Sequence, residues 1–410
     1  MLSVLPESGR TSFVLPALSR QTQWLGLAFC AVFLLTLIMR SNPTVPNLYA
    51  SQADALLHGR LFLTENLKDV AVVNGAYYVP FAPLPTILLL PFVALLGVQH
   101  TDVVAIAFGL TILNVWTFWQ ILKKLDLDAE RSVWLVLALF LGTGYWSLVA
   151  KSCEVWGFAQ VVAVTFLLLA IHEALGRRRG ILLGIFLGCA FLARQLSVYG
   201  AVFLLAGLLS APEAPALRAR LKKVLEFGLA FSICAAVYIW FNWIRFGNPF
   251  ETGYKYIQLE GFLKDRVDHH GLFSLASLPF NFVHMFLQGP HFEFGSGLWP
   301  KNMDQFGTSI IFASPFVLLA FRARWSRPLV IGCAVSIGLS LCHMLLYYNN
   351  GWVQVNTQRF TLDFLPLLVL LVALGSKTIT LPLLKAVVSY SIVMNAIALA
   401  VGPAIKVFVH

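Results

Sequence analysis

A few charged residues stand out in this 410-residue chain because apolar sequence surrounds them. Asp54 and Asp69 flank a short stretch that also holds His58, Arg60, Glu65 and Lys68. Glu154 lies in LVAKSCEVWGF, close after Lys151. Arg194 interrupts apolar sequence at FLARQL, and Arg359 stands in TQRFTLDFLP, four positions before Asp363. Carboxylates can take a proton or a cation, and guanidinium groups can hold an anion. Each residue also has a plainer reading. Loop charges are solvated, Lys151 can pair with Glu154, and Arg194 can snorkel to an interface. The Arg359–Asp363 spacing fits a helical i,i+4 ion pair. An arginine left unpaired at membrane depth costs about 2.5–3.5 kcal/mol on insertion scales, so Arg194 has to face a polar cavity, pair or snorkel.

Metal and nucleotide chemistry find little support. Asp268, His269 and His270 are adjacent, but neighbouring histidines diverge on most backbones, and no HExxH or HxH spacing is present. A divalent ion at Glu154 needs two or more oxygen ligands, so that cofactor is left open and no metal ligand is assigned. The cysteines Cys30, Cys153, Cys189, Cys234, Cys333 and Cys342 form no CxxC pair, which speaks against a zinc site or disulfide framework. No GxxxxGK[ST] loop or Rossmann glycine run occurs.

These residues must be positioned by membrane helices. The chain is 59% hydrophobic and 12% charged, roughly half the charge of a soluble domain. The net charge of +10 reads as cytoplasmic loops rich in Lys and Arg, not as nucleic-acid binding. Apolar runs fall near 23–39, 81–98, 102–122, 132–150, 155–174, 180–193, 195–210, 225–243, 307–321, 328–347, 361–375 and 381–402. Arg10, Arg20, Lys123, Lys124, Arg131, Arg177–Arg179, Arg218–Lys223 and Arg322–Arg327 mark the cytoplasmic side. They all fall on one side only if 81–98 does not cross. That run carries Pro83, Pro85 and Pro91, which interrupt helical hydrogen bonding. The expectation is an all-α polytopic membrane protein with about eleven transmembrane helices. An amphipathic surface helix at Leu48–Leu57 and a re-entrant helix at 81–98 lie in the first outer loop. The pair 180–193 and 195–210 is short for two crossings and also reads as one bent helix. The predicted organisation is a cytoplasmic N-terminus at 1–22, one transmembrane domain at 23–402 and a tail at 403–410. Outer loops span 40–80, 244–306 and 347–360.

The outer loops carry a family resemblance. The runs ADALLHGRLFL and NGAYYVPFAPLPTILLLPFVALLG resemble the first loop of bacterial GT-C-type membrane glycosyltransferases, near glycosyltransferase family 39. Further segments fit the same group in the same order: GTGYWSLVAKSCEVWGFAQ, GILLGIFLGCAFLARQ, WFNWIRFGNPFETGYKY and NNGWVQVNTQRFTLDFLP.

The resemblance implies sugar transfer from a polyprenyl-phosphate carrier to an acceptor at the extracytoplasmic face of the bacterial inner membrane. It implies inverting displacement with a carboxylate base. Catalytic candidates are then Asp69, Asp54 and Glu154, with Asp69 preferred over Asp54 because it precedes the NGAYY segment. Substrate-binding candidates are Arg194, Arg359, Arg60, Lys151, Tyr77 and Tyr78. Implied partners are a lipid-linked sugar donor, membrane lipid, an acceptor and other members of a membrane complex. One departure stands out. Relatives place Asp, often Asp-Glu, before the surface helix, where this chain reads Pro46-Asn47-Leu48-Tyr49. That keeps in play a non-catalytic member that binds lipid or glycan; a flippase or transporter of a lipid-linked glycan is the other alternative.

Overall fold

A computed structural model describes residues 19–39, 47–210, 216–294, 300–303, 306–349, 354–357 and 359–408. Arg10, most of the predicted cytoplasmic N-terminus, Pro46 and the start of the first outer loop lie outside the described residues. Helix α1 (Arg20–Met39) is followed by α2 (Leu48–Leu57), α3 (Leu84–Leu96), α4 (Val103–Lys124), α5 (Ala129–Phe140), α6 (Tyr145–Ala150) and α7 (Val155–Ala174). Then come α8 (Gly180–Ala193), α9 (Gly200–Leu209), α10 (Leu217–Phe246), α11 (Gly261–His270), α12 (Leu278–Phe282) and α13 (Ile310–Ala313). The chain closes with α14 (Pro328–Leu346), α15 (Leu365–Ser376) and α16 (Leu381–Phe408). Five helices are long and apolar enough to span a bilayer, namely α4, α7, α10, α14 and α16 over Leu381–Leu399. Shorter apolar helices accompany them, so the chain is a multi-pass membrane protein. Helix α7 is the axis of the bundle, with 78% of its apolar window buried against 22% for α10. The exposed face of α10 is Leu217, Leu221, Leu225, Leu229 and Ile233, an i,i+4 stripe suited to lipid.

The basic clusters gather at one end of the bundle. Lys124 Nζ donates to the His172 carbonyl, 2.6 Å away, and Lys377 Nζ to that of Leu125. Arg131 donates to the Ser376 and Ile379 carbonyls, and Lys385 pairs with Glu130. Arg220 donates to the Leu209 carbonyl. That last bond, with Gly200 packed on Leu187 and Leu167, runs 195–209 back alongside α8. The pair is therefore antiparallel and not one bent helix, with Arg194 at its turn. Glycine makes this tight: Gly180, Gly184 and Gly188 face α10, where an added Cβ would strike the backbone at Lys223 and Phe227 and the side chain of Cys234. Such small-residue spacing lets helix backbones approach closely.

At the opposite end, α2 and α3 form a helical pair. Thr86 at the start of α3 donates to Gln52 of α2, and the turn Val98–His100 after α3 returns to α2. Helix α3 thus begins and ends beside the same short helix. At 13 residues it is about 20 Å long, short of the ~30 Å hydrocarbon core.

The fold is not purely α-helical. Strands β1 (Ala71–Val73) and β2 (Ala76–Tyr78) form a hairpin through Asn74 and Gly75, whose φ values are 52° and 78°. Positive φ at both turn residues is the two-residue hairpin geometry that Asn-Gly favours. Strands β3 (Phe292–Phe294) and β4 (Pro300–Met303) pair antiparallel, and β5 (Phe306–Thr308) pairs with β6 (Gln354–Thr357) in parallel. The apolar run 307–321 is no continuous α-helix. It is α13 followed by a 3-10 helix at Pro315–Arg322, because Pro315 lacks the donor that would carry α13 onward.

Candidate functional site

The end opposite the basic clusters brings four separated segments together. Asn47, at the N-terminus of α2, accepts from the Tyr49 amide at 2.9 Å. Its amide nitrogen donates to the Ser152 and Cys153 carbonyls at 3.2 and 2.9 Å. Gln160 of α7 donates to the Arg359 carbonyl at 2.8 Å. Arg194 makes a bidentate pair with Asp363, Nε to Oδ1 at 2.9 Å and Nη2 to Oδ2 at 2.5 Å. The Asp363 side chain is fully buried, and that of Arg194 is 13% exposed.

Asp363 therefore serves Arg194, and the i,i+4 pair expected with Arg359 gives way to it. The reason is local: Arg359–Asp363 is a 3-10 helix, with about three residues per turn, so position i+4 no longer sits above position i. Both arginines nonetheless meet at Phe360, whose ring centre is 5.7 Å from the Arg194 guanidinium and 5.2 Å from that of Arg359. Arg359 also lies 3.9 Å from the Trp156 ring. Burial and the neighbouring charge of Arg194 pull Arg359 down to about 10, while Asp69, Glu154 and Asp363 act the other way. It stays protonated at neutral pH. For Arg194, burial disfavours the charge, but Asp363 outweighs it and raises the group above its ordinary value.

The charged rim follows. Asp69, half-buried in a turn before β1 with φ of 66°, lies within electrostatic reach of Arg359, Glu154 and Tyr348. Aspartate tolerates this left-handed backbone better than most residues. Glu154 immediately precedes α7, and its side chain makes no capping hydrogen bond to the helix. Burial pushes its carboxyl up, against Lys151, Arg359 and Lys68, and Asp69 adds to the rise. With three cations around it, Glu154 is poorly placed to recruit a divalent metal. Among the described residues no group of three or more His, Cys, Asp or Glu converges on one point.

Other sequence candidates go elsewhere. Asp54 is engaged by His58 and Arg60 at 3.5 and 3.8 Å, on the side of α2 away from the buried Tyr49 and Gln52. Tyr78 packs on Phe62 and Phe246. Tyr77 pairs through its carbonyl with the Leu63 amide and supports the hairpin. His269 turns its Nδ1 to the Asp265 carbonyl within α11.

The sequence reading missed a set of tyrosines. Tyr49 meets Phe81 edge-on and Phe158 at a tilt, and Phe81 meets Tyr254 edge-on. Tyr238 accepts from Gln195 at 2.8 Å. Tyr347 sits against Tyr348 and Phe360. Tyr49, Tyr254 and Tyr347 all lie within electrostatic reach of Arg194. It also passed over Arg245, which is 4% exposed and donates to the Val79 carbonyl and to Asn242. Arg245 fastens the hairpin to the end of α10 and takes no part in the arginine pair.

No protein-family model and no curated protein sequence matches this chain. Two crystal structures do. The fold is similar to that of ArnT. The apo structure of ArnT from Cupriavidus metallidurans has a TM-score of 0.52 and 13% identity, covering 88% of this chain and 61% of that one. The structure of the same protein bound to undecaprenyl phosphate has a TM-score of 0.54 and 14% identity, with the same coverage. At the level of fold, the resemblance to GT-C-type membrane proteins holds. This chain spans about three fifths of the length of the ArnT chain.

Proposed function

We propose that this protein is a membrane glycosyltransferase that moves a sugar from a polyprenyl-phosphate carrier to an acceptor at the extracytoplasmic face. The observation that carries the reading is the convergence of Arg194 and Arg359 on Phe360, with Asp69 and Glu154 within electrostatic reach. In this reading eleven traversals leave the basic end cytoplasmic, and α2 and α3 lie on the outer surface. The ArnT structure with undecaprenyl phosphate supports a lipid carrier of that class.

Each residue has a step. Asp69 takes the proton from the acceptor hydroxyl. The acceptor oxygen bonds to the anomeric carbon as the bond to the phosphate oxygen breaks, and that electron pair leaves with the carrier phosphate. Arg359 and the Nη1 of Arg194 stabilise the charge growing there. Asp363 holds Arg194 in place, and Lys151 with Glu154 borders the acceptor. Single displacement of this kind inverts the anomeric centre. Asp54 is the weaker base candidate because His58 and Arg60 already engage it.

The test is turnover with a polyprenyl-phosphate sugar in reconstituted membranes. Asp69→Asn should cut transfer about 100-fold or more while carrier binding persists, as for loss of a general base. Asp54→Asn should leave transfer within about threefold of the parent. Equal activity of the parent and Asp69→Asn removes Asp69 from the mechanism. A second reading, a carrier-binding protein without turnover, draws on the carboxamide at Asn47 where relatives carry a carboxylate. Tight carrier binding with no transfer to any acceptor would favour it.

A further inference from the structure

Two cysteines meet across the glycine-lined seam between α8 and α10. Gly188 lets the helices approach so closely that a Cβ built there would lie 2.5 Å from the Cys234 Sγ. Cys189, the next residue on α8, brings its thiol within hydrogen-bonding reach of the Cys234 thiol. Neighbouring side chains hold this seam in register. Phe191 packs on Phe231 and Tyr238, with ring centres 5.7 and 5.2 Å apart. Beyond the thiols, Gln195 donates to Tyr238 at 2.8 Å. Arg194, at the end of α8, immediately precedes that bond.

Two features suit the pair to a lipid-soluble oxidant. Both thiols are half-buried, at the lipid-facing edge of the seam. Ile181 and Ile185 are exposed on α8, and Cys189 continues their stripe at i,i+4 spacing. On α10, Cys234 is flanked by the exposed Ile233 and Val237. The second feature is the chemistry of the pair itself. Among the described residues no third His, Cys, Asp or Glu joins these thiols, so they form a dithiol and not a metal site.

We propose that Cys189 and Cys234 form a disulfide that fastens α8 to α10, with a membrane quinone as the oxidant. One sulfur bonds to a quinone ring carbon while its proton passes to a ring oxygen. The second sulfur then attacks the first, as in any thiol–disulfide exchange. The carbon–sulfur bond breaks, its electron pair enters the ring, and the second proton goes to the other ring oxygen. Two thiols become one disulfide, and the quinone becomes a hydroquinone. The thiols already touch in the arrangement that holds Arg194 on Asp363, so the bond stiffens the helix that carries Arg194 and leaves its position unchanged. The inference stands apart from what the site binds.

The full chain in nanodiscs can be incubated with decylubiquinone, alkylated with a maleimide in SDS, digested and read by mass spectrometry without reduction. Two of the six cysteines should escape alkylation together, in linked peptides carrying Cys189 and Cys234, and dithiothreitol should return both. The exposed Cys30 and Cys342 should stay alkylated. The oxidised parent should melt several degrees above the reduced parent, a shift absent from Cys189→Ala and Cys234→Ala. Full alkylation of both cysteines after quinone treatment would overturn the inference. So would linkage of either one to a different cysteine, an equal yield of the bond in SDS-unfolded chain, or a lower melting temperature of the oxidised parent.

Discussion

Substituting Asn47→Asp separates two accounts of Asn47, a clamp between α2 and the start of α7 or a vacated base position. If Asn47 is a clamp, a carboxylate there is harmful. The amide nitrogen donates to both the Ser152 and Cys153 carbonyls, and the residue is 6% exposed. A carboxylate keeps the bond from the Tyr49 amide and loses both donations. Two buried bonds at about 1 kcal/mol each, plus carbonyls left facing a negative oxygen, give a loss of about 2–4 kcal/mol. Protonation would restore one donor, so the introduced carboxyl has a raised pKa in the folded state. Its contribution to stability is then present at low pH and lost as pH rises through that value. Thermal melting of the purified protein should show Asn47→Asp below the parent by several degrees at pH 8, with a smaller gap at pH 5. Asn47→Ala should fall alongside it at pH 8. An Asn47→Asp protein as stable as the parent at both pH values would refute the clamp. Increased sugar transfer by that variant would instead identify Asn47 as a vacated base position.

Other expectations follow from the same geometry. Gly184→Leu would drive a side chain into the α10 backbone at Phe227, and should prevent recovery of folded protein. Gly228→Leu, on an open face of α10, should be recovered at parental yield; equal recovery of both variants would remove the close α8–α10 contact. Asp363→Ala strands the Arg194 guanidinium and should lower stability by about 3–5 kcal/mol, the usual result of breaking a buried pair. A denaturation midpoint equal to that of the parent would contradict it. Cysteines placed at Glu65 and Arg178 should react with an impermeant reagent from opposite sides of the membrane, and equal outside reactivity would sink the topology.

Much of the architecture is legible in the sequence because charge and hydropathy act over whole segments. The basic clusters at 123–131, 177–179 and 218–223 marked one end, and Pro83, Pro85 and Pro91 marked a run that stays beside α2. Arg194 was visible because it breaks an apolar run. Its partner was not, since Asp363 lies 169 residues away and the local spacing pointed to Arg359. The i,i+4 rule presumes an α-helix, and the backbone at Arg359–Asp363 is 3-10. The tyrosines escaped notice for a different reason. Aromatic residues crowd membrane interfaces by default, so Tyr49 and Tyr254 could be separated from that background only once Phe81 and Arg194 were placed beside them. The short strands escaped because three-residue runs such as Ala71–Val73 and Ala76–Tyr78 carry too little alternation to read.

The central claim is that the arginine pair holds a lipid phosphate, and affinity for undecaprenyl phosphate in nanodiscs tests it most directly. The account predicts saturable binding by the parent, a loss of about 100-fold in Arg359→Ala, and only partial recovery in Arg359→Lys, which lacks the planar fork. Parental affinity in Arg359→Ala, measured on protein that melts at the parental temperature, would contradict it.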